Sequence, residues 1–128
     1  MREILFKAKT ISGNWVNGLL ANKDDKWYIS NKAGMPFAYD VRPETICQFT
    51  GLFDKNGKKI WENDILMAHF DELYPEDVTY ETVEWGVAGW VTHEANSIDR
   101  QYLDEFDTEH FEVVGNIFDN PGLLQEAE

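Results

Sequence analysis

The seventeen residues from Thr50 to Leu66 constrain this chain more than any others. Two short apolar runs flank Asn56-Gly57, and an Asn-Gly pair supplies the two positive-φ positions that a tight hairpin turn requires. The second run passes through Glu62-Asn63-Asp64 into Ile65-Leu66, a polar corner that swings the chain into a new strand. A hairpin followed by a corner is the way small β-barrels begin. The segment holds no nucleophile, no phosphate cradle and no metal-ligand spacing. It therefore speaks to fold and lineage, and not to a reaction.

The rest of the chain agrees with a β-rich fold. Ile4 to Lys9, Trp15 to Leu20, Lys26 to Ser30 and Phe37 to Val41 read as strands bounded by polar turn residues. Pro43-Glu44-Thr45-Ile46 starts a single helical turn, with proline preset for the first position. Asp71 to Asp77 is acidic and interrupted by Pro75, which marks an exposed loop. Val78 to Trp85 alternates as a half-buried strand, and the chain resumes as a strand after the bend at Gly86. Ser97 through Phe106 is the one helix expected, near the C-terminal third. Ser97 would cap it, and Ile98, Tyr102 and Phe106 recur four apart on one face. Phe111 to Phe118 is a closing strand. The expectation is a mainly β protein with an N-terminal β-region over 1–46 and a second part over 47–128, built as one continuous structural unit.

Charge divides the chain in two. Residues 1–60 carry ten Lys/Arg and six Asp/Glu, whereas residues 61–128 carry Arg100 alone against eighteen Asp/Glu. The net values, +4 and −17, sum to the −13 of the whole. A solvated acidic face keeps a protein soluble. The split also suits pairing of a basic surface with an acidic one, within a subunit or between subunits, so a homo-oligomer is expected. Direct nucleic-acid binding is not, because phosphates are repelled by the second half. The single Cys47 cannot form an internal disulfide, and no apolar run approaches a membrane span. The start of the chain lacks the apolar core of a signal peptide. These features place the protein in the cytoplasm, away from membranes.

Thr50-Gly51-Leu52, Asp54-Lys55-Asn56-Gly57-Lys58 and Ile60-Trp61-Glu62-Asn63-Asp64-Ile65 together resemble the signature of the YopX family of phage and prophage proteins. Arg2 to Lys9 with Trp15-Val16-Asn17-Gly18 resembles that family's first strand pair, and Val113 to Pro121 its closing segment. The family's usual Glu-Gly-Asp corner is Glu62-Asn63-Asp64 here. Asn visits the left-handed region more readily than other residues that carry a Cβ, so the corner should survive. The resemblance implies an N-terminal β-region followed by an SH3-like β-barrel, encoded by a phage or prophage and at work in the host cell. It implies no substrate, cofactor or catalytic residue.

Residue chemistry adds little to that. His69, His93 and His110 each sit beside carboxylates, a ligand set for Zn or Mn, but no recognised spacing joins them. Cys47 lies in an apolar run without a neighbouring cation, the setting of a small core residue. No catalytic residue, metal site or cofactor is expected. Of Trp15, Trp27, Tyr28, Trp61, Trp85 and Trp90, most should be core, with Trp61 and Trp85 the pair that would be exposed. The leading expectation is a non-enzymatic module that binds a phage or host protein or assembles with itself. Its partner surface would be Glu76, Asp77, Glu81 and Glu84 around one loop and strand, and Asp104, Glu105, Asp107 and Glu109 around the helix and its exit. The alternatives are an acidic DNA mimic, motivated by fifteen carboxylates between Glu62 and Glu112, and a metal-dependent enzyme using the three histidines.

Overall fold

The computed structural model describes residues 5–30, 38–68, 78–94, 97–104 and 107–125, without the side chains of Asp107, Thr108 and Gln125. The chain divides into two compact units, Met1–Gly51 and Leu52–Glu128.

The first unit is an antiparallel sheet of β1 (Phe6–Lys9), β2 (Trp15–Lys23), β3 (Lys26–Ser30), β4 (Tyr39–Asp40) and the start of β5 (Cys47–Phe53), in the order β4-β3-β2-β1-β5. The two-residue period of a strand turns Phe6, Ala8, Val16, Leu20, Trp27 and Ile29 to one side, where they pack with Val41 and Ile46. Asp24 and Asp25, with φ of 53° and 65°, join Lys23 to Lys26. That is the two-residue turn whose twist matches the strands it joins. Pro43–Thr45 forms a 3-10 turn with proline at its start, as expected. The Thr45 hydroxyl donates to the Arg42 carbonyl at 2.7 Å and accepts from the Lys9 amide at 2.9 Å, which fixes the turn against β1.

The second unit holds the end of β5, then β6 (Lys59–Trp61), β7 (Asp64–Ala68), β8 (Thr79–Trp85), β9 (Trp90–Glu94), β10 (Gln101–Tyr102), β11 (Phe111–Asn116) and a one-turn helix α1 (Gly122–Gln125). Five of the strands form an antiparallel sheet in the order β10-β9-β8-β7-β11. Leu66, Ala68, Val83, Trp90 and Phe111 share one face, and Ile60, Leu103, Leu52 and Val113 complete the cluster. Truncating any of its larger members to alanine removes about 2–5 kcal/mol, the usual cost of an unfilled core site. The protein is mainly β, with two antiparallel sheets. Among the described residues no strand pairing closes the second sheet into a barrel. No described helix is long and apolar enough to cross a membrane.

Three local expectations are revised. Of Asn56 and Gly57, only Gly57 has positive φ, at 79°. The Gly57 amide donates to the Asp54 carbonyl at 3.0 Å and the Asp54 amide to the Lys58 carbonyl at 2.8 Å. This is the longer hairpin loop, a turn followed by one left-handed residue. The Asp54 carboxylate explains the choice: Oδ1 accepts from the Asn56 and Lys58 amides at 2.8 and 2.9 Å, which holds Asn56 out of the left-handed region. The pair of positive-φ residues expected there occurs at Asp24-Asp25 instead.

Residues 97–104 do not form the expected helix, whose last two residues, Glu105 and Phe106, lie outside the described residues: Gln101–Tyr102 is a strand, and Ile98 is almost fully exposed. The Leu103 amide donates to the Trp90 carbonyl at 2.9 Å, and Leu103 is buried. The backbone groups on the outer side of β9 need partners, and pairing with β10 overrides a four-residue recurrence of three apolar side chains.

The exposed pair expected at Trp61 and Trp85 is not formed. Trp61 is buried, and Trp85 rests on Trp90. The corner at Glu62-Asn63-Asp64 does form, with Asn63 left-handed at φ 69°. Its amide donates to the Val83 carbonyl at 2.7 Å and its carbonyl accepts from the Ile117 amide at 3.0 Å.

Candidate functional site

The β8–β9 hairpin ends in Gly86-Val87-Ala88-Gly89, closed by the Gly86 amide donating to the Gly89 carbonyl at 2.7 Å. A side chain at Gly86 would lie 2.8 Å from Val91 Cγ1 and 3.0 Å from the Gly89 carbonyl, so only glycine lets the loop fold this tightly. Trp85 and Trp90 face each other across the hairpin with ring centroids 4.8 Å apart and planes at 75°, an edge-on contact. Trp90 belongs to the core, whereas Trp85 remains 56% exposed. Val87 at the tip is fully exposed, and Tyr102 on the neighbouring β10 is 59% exposed. A cavity of about 270 Å³ lies here, lined by Glu84, Gly86, Val87, Val91, Arg100 and Tyr102.

Its polar edge is fixed by a charged network. Arg100 Nε donates to Glu84 Oε1 at 2.6 Å, and Arg100 also donates to the Ser97 carbonyl at 3.2 Å. His93 Nε2 lies 3.4 Å from Glu84 Oε2 and 3.2 Å from Thr82 Oγ1. His93 Nδ1 faces the Glu94 carbonyl at 3.1 Å, so in the neutral ring Nδ1 carries the hydrogen and Nε2 accepts from Thr82. The network ties β8, β9 and the segment entering β10 into one wall. Exposed ion pairs of this kind contribute about 0–1 kcal/mol to stability, so its effect is to set geometry.

A second, more polar cavity of about 200 Å³ is lined by Glu81, Thr92, Glu94, Ser97, Asp99 and Gln101. Glu81 points to the core side of β8 and is only 6% exposed. It accepts from the Thr92 hydroxyl at 3.0 Å and the Thr79 hydroxyl at 3.4 Å. Among the described residues no three His, Cys, Asp or Glu side chains converge as metal ligands would.

The acidic residues expected to form a partner surface separate on this structure. Glu84 is half-buried in the charged network, and Asp104 and Glu109 are exposed. Glu81 is withdrawn into the sheet, out of reach of a partner. Glu76, Asp77 and Glu105 lie outside the described residues; so does His69, and so does the Asp107 side chain. Asp54 and Asp64 are also buried, and their carboxylates accept backbone N–H groups, Asp64 from Trp61 at 2.8 Å. Part of the acidity of this chain therefore serves the fold. Composition could not separate these residues from the surface ones. The apolar end of the hairpin escaped sequence reading too, although Trp85 and Val87 around Gly86 signal it: bulky apolar residues beside a turn have little to pack against.

The family profile described as YopX protein matches residues 7–125. The crystal structure of protein EF1440 from Enterococcus faecalis is similar, with a TM-score of 0.63 and 20% identity over 97% of this chain and 99% of that one. At that identity the likeness shows the fold alone. No curated protein matches the chain.

Proposed function

This chain belongs to the YopX protein family, and from that membership and the apolar end of the β8–β9 hairpin we propose that it is a phage- or prophage-encoded, non-enzymatic protein-binding module. It works in the host cytoplasm and grips its partner through Val87 and Tyr102. One observation carries the reading: Val87 and Tyr102 stand exposed and both line the cavity at the end of the β8–β9 hairpin. Tyr and Arg, both present in the lining, are among the residue types that dominate binding energy at protein interfaces. Apolar residues clustered and rimmed by polar ones mark contact surfaces, whereas singly scattered ones do not.

The test is a selection of random ten-residue displayed peptides against the full chain. Peptides that bind the parent should lose at least about tenfold in affinity to Val87→Asp, a fully exposed position where the charge cannot disturb the core. Selected peptides that bind both proteins equally would place the contact surface elsewhere. A selection that yields no binder would argue against a peptide-gripping module altogether.

A further inference from the structure

We propose that the cavity at the end of the β8–β9 hairpin takes one bulky apolar side chain of the partner, and that Arg100 fixes how that residue sits by donating to its backbone carbonyl. This rests on the protein-binding reading above and deepens it by naming the anchor and the residue that orients it.

Size carries the first part of the argument. The cavity holds about 270 Å³. Sites for drug-sized molecules run to about 300–1,000 Å³, so this one falls just below them and suits a single large side chain. Its apolar wall is Val87, Val91 and Tyr102, and Gly86 adds backbone alone. Tyr102 lies opposite Val91 in the β9–β10 ladder, and opposed residues project to the same face. Strand pairing therefore brings these two together before any partner arrives. A Leu, Met or Phe that leaves water for this wall gains about tenfold or more in affinity from its burial.

Arg100 carries the second part. A guanidinium holds five N–H donors in one plane. Nε donates to Glu84 Oε1 at 2.6 Å, and Nη1 donates to the Ser97 carbonyl at 3.2 Å. The remaining donors have no acceptor among the described residues. Two anchors on a rigid plane hold the group in place, so the unspent donors are preorganised. Arg100 lines the same cavity as the apolar residues, so a side chain that enters it brings its own backbone toward the guanidinium.

The pairing with Glu84 selects the acceptor. Arg100 and Glu84 offset each other's charge, and a carboxylate on the occupant would be repelled by Glu84 while Arg100 attracts it. A neutral carbonyl meets no such opposition and still gains a hydrogen bond from a charged donor. The anchor is therefore a residue inside a segment, not a chain end with a free carboxylate.

The ten-residue peptides selected above serve as probes on the full chain. Replacing the anchor residue by Ala should weaken binding at least about tenfold. Replacing the amide that bears its carbonyl by a trans alkene keeps the shape and removes the acceptor, and should cost at least about fivefold. Against Arg100→Met the alkene penalty should vanish, while the Ala penalty persists. An alkene penalty absent from the parent, or equal in the two proteins, shows that Arg100 does not receive the carbonyl and overturns its role. A smaller Ala penalty, with Val87→Asp still damaging, puts the peptide on the hairpin tip outside the cavity. That overturns the inference while the protein-binding reading stands. Peptide affinity that falls as the chain is concentrated assigns the cavity to a second copy and overturns the inference equally. A selection without binders removes both.

Discussion

Asp54 links the β5–β6 hairpin to β11 through one carboxylate, so Asp54→Asn is a sharp probe of how the second unit holds together. Oδ1 accepts from the Asn56 and Lys58 amides, and Oδ2 from the Val113 amide at 2.9 Å, fifty-nine residues away. The side chain is 6% exposed. Asn matches Asp in shape but offers one oxygen and one NH2. If its oxygen takes the place of Oδ1, the NH2 faces the Val113 N–H, donor against donor. If its oxygen takes the place of Oδ2, the two turn amides lose their acceptor. No orientation satisfies all three. Asn56 and Lys58 are exposed, so water replaces much of what they lose. Val113 is half-buried, and a donor left unpaired costs up to about 1–3 kcal/mol where water cannot reach it. The expected loss is therefore about 1–3 kcal/mol for Asp54→Asn and about 2–4 for Asp54→Ala, with about 4–8 °C of Tm per kcal/mol for a domain of this size. Urea titration followed by tryptophan fluorescence would measure it, and faster amide exchange at Val113 would locate it. An unchanged midpoint with unchanged Val113 exchange would refute the account, because it would mean that the bridge contributes nothing beyond what water supplies.

Three further outcomes are expected. Gly57→Val should destabilise by about 1–2 kcal/mol, because φ of 79° is hostile to a β-branched residue although nothing lies near the new side chain; an unshifted denaturation midpoint would contradict this. Asn63→Gly should be tolerated and Asn63→Val should cost about 1–2 kcal/mol, since φ is 69° at the corner; equal stabilities in paired urea titrations would show that backbone conformation does not limit it. The homo-oligomer expected from the charge split, formed by attraction between the basic and acidic parts of the chain, should weaken as salt rises toward physiological strength, and sedimentation showing a monomer at every ionic strength would remove it.

Much of the fold was legible because local rules decide it. Lys26–Ser30 alternates and is bounded by turn residues, and it is a strand with those limits. Pro43 opens a single turn, and Asn63 takes the left-handed corner, each because its own backbone preferences leave few choices. The candidate site was far less legible. Glu81 and Glu84 are three residues apart in one strand with the same side-chain chemistry, yet one is buried against Thr92 and the other braces Arg100. Only the strand's facing and its neighbours separate them.

The sequence by itself determined that this chain is β-rich, where several strands begin and end, and which family it joins. These follow from side-chain alternation and from turn residues, whose energetics are confined to a few adjacent positions. The tertiary structure alone decided that residues 101–103 pair with β9 instead of coiling into a helix. It also decided that Asp54, Asp64 and Glu81 serve the fold and that Val87 and Tyr102 line one exposed cavity. Each of those outcomes depends on a partner distant in sequence, and on backbone groups at a sheet edge that must be satisfied whatever the local preference.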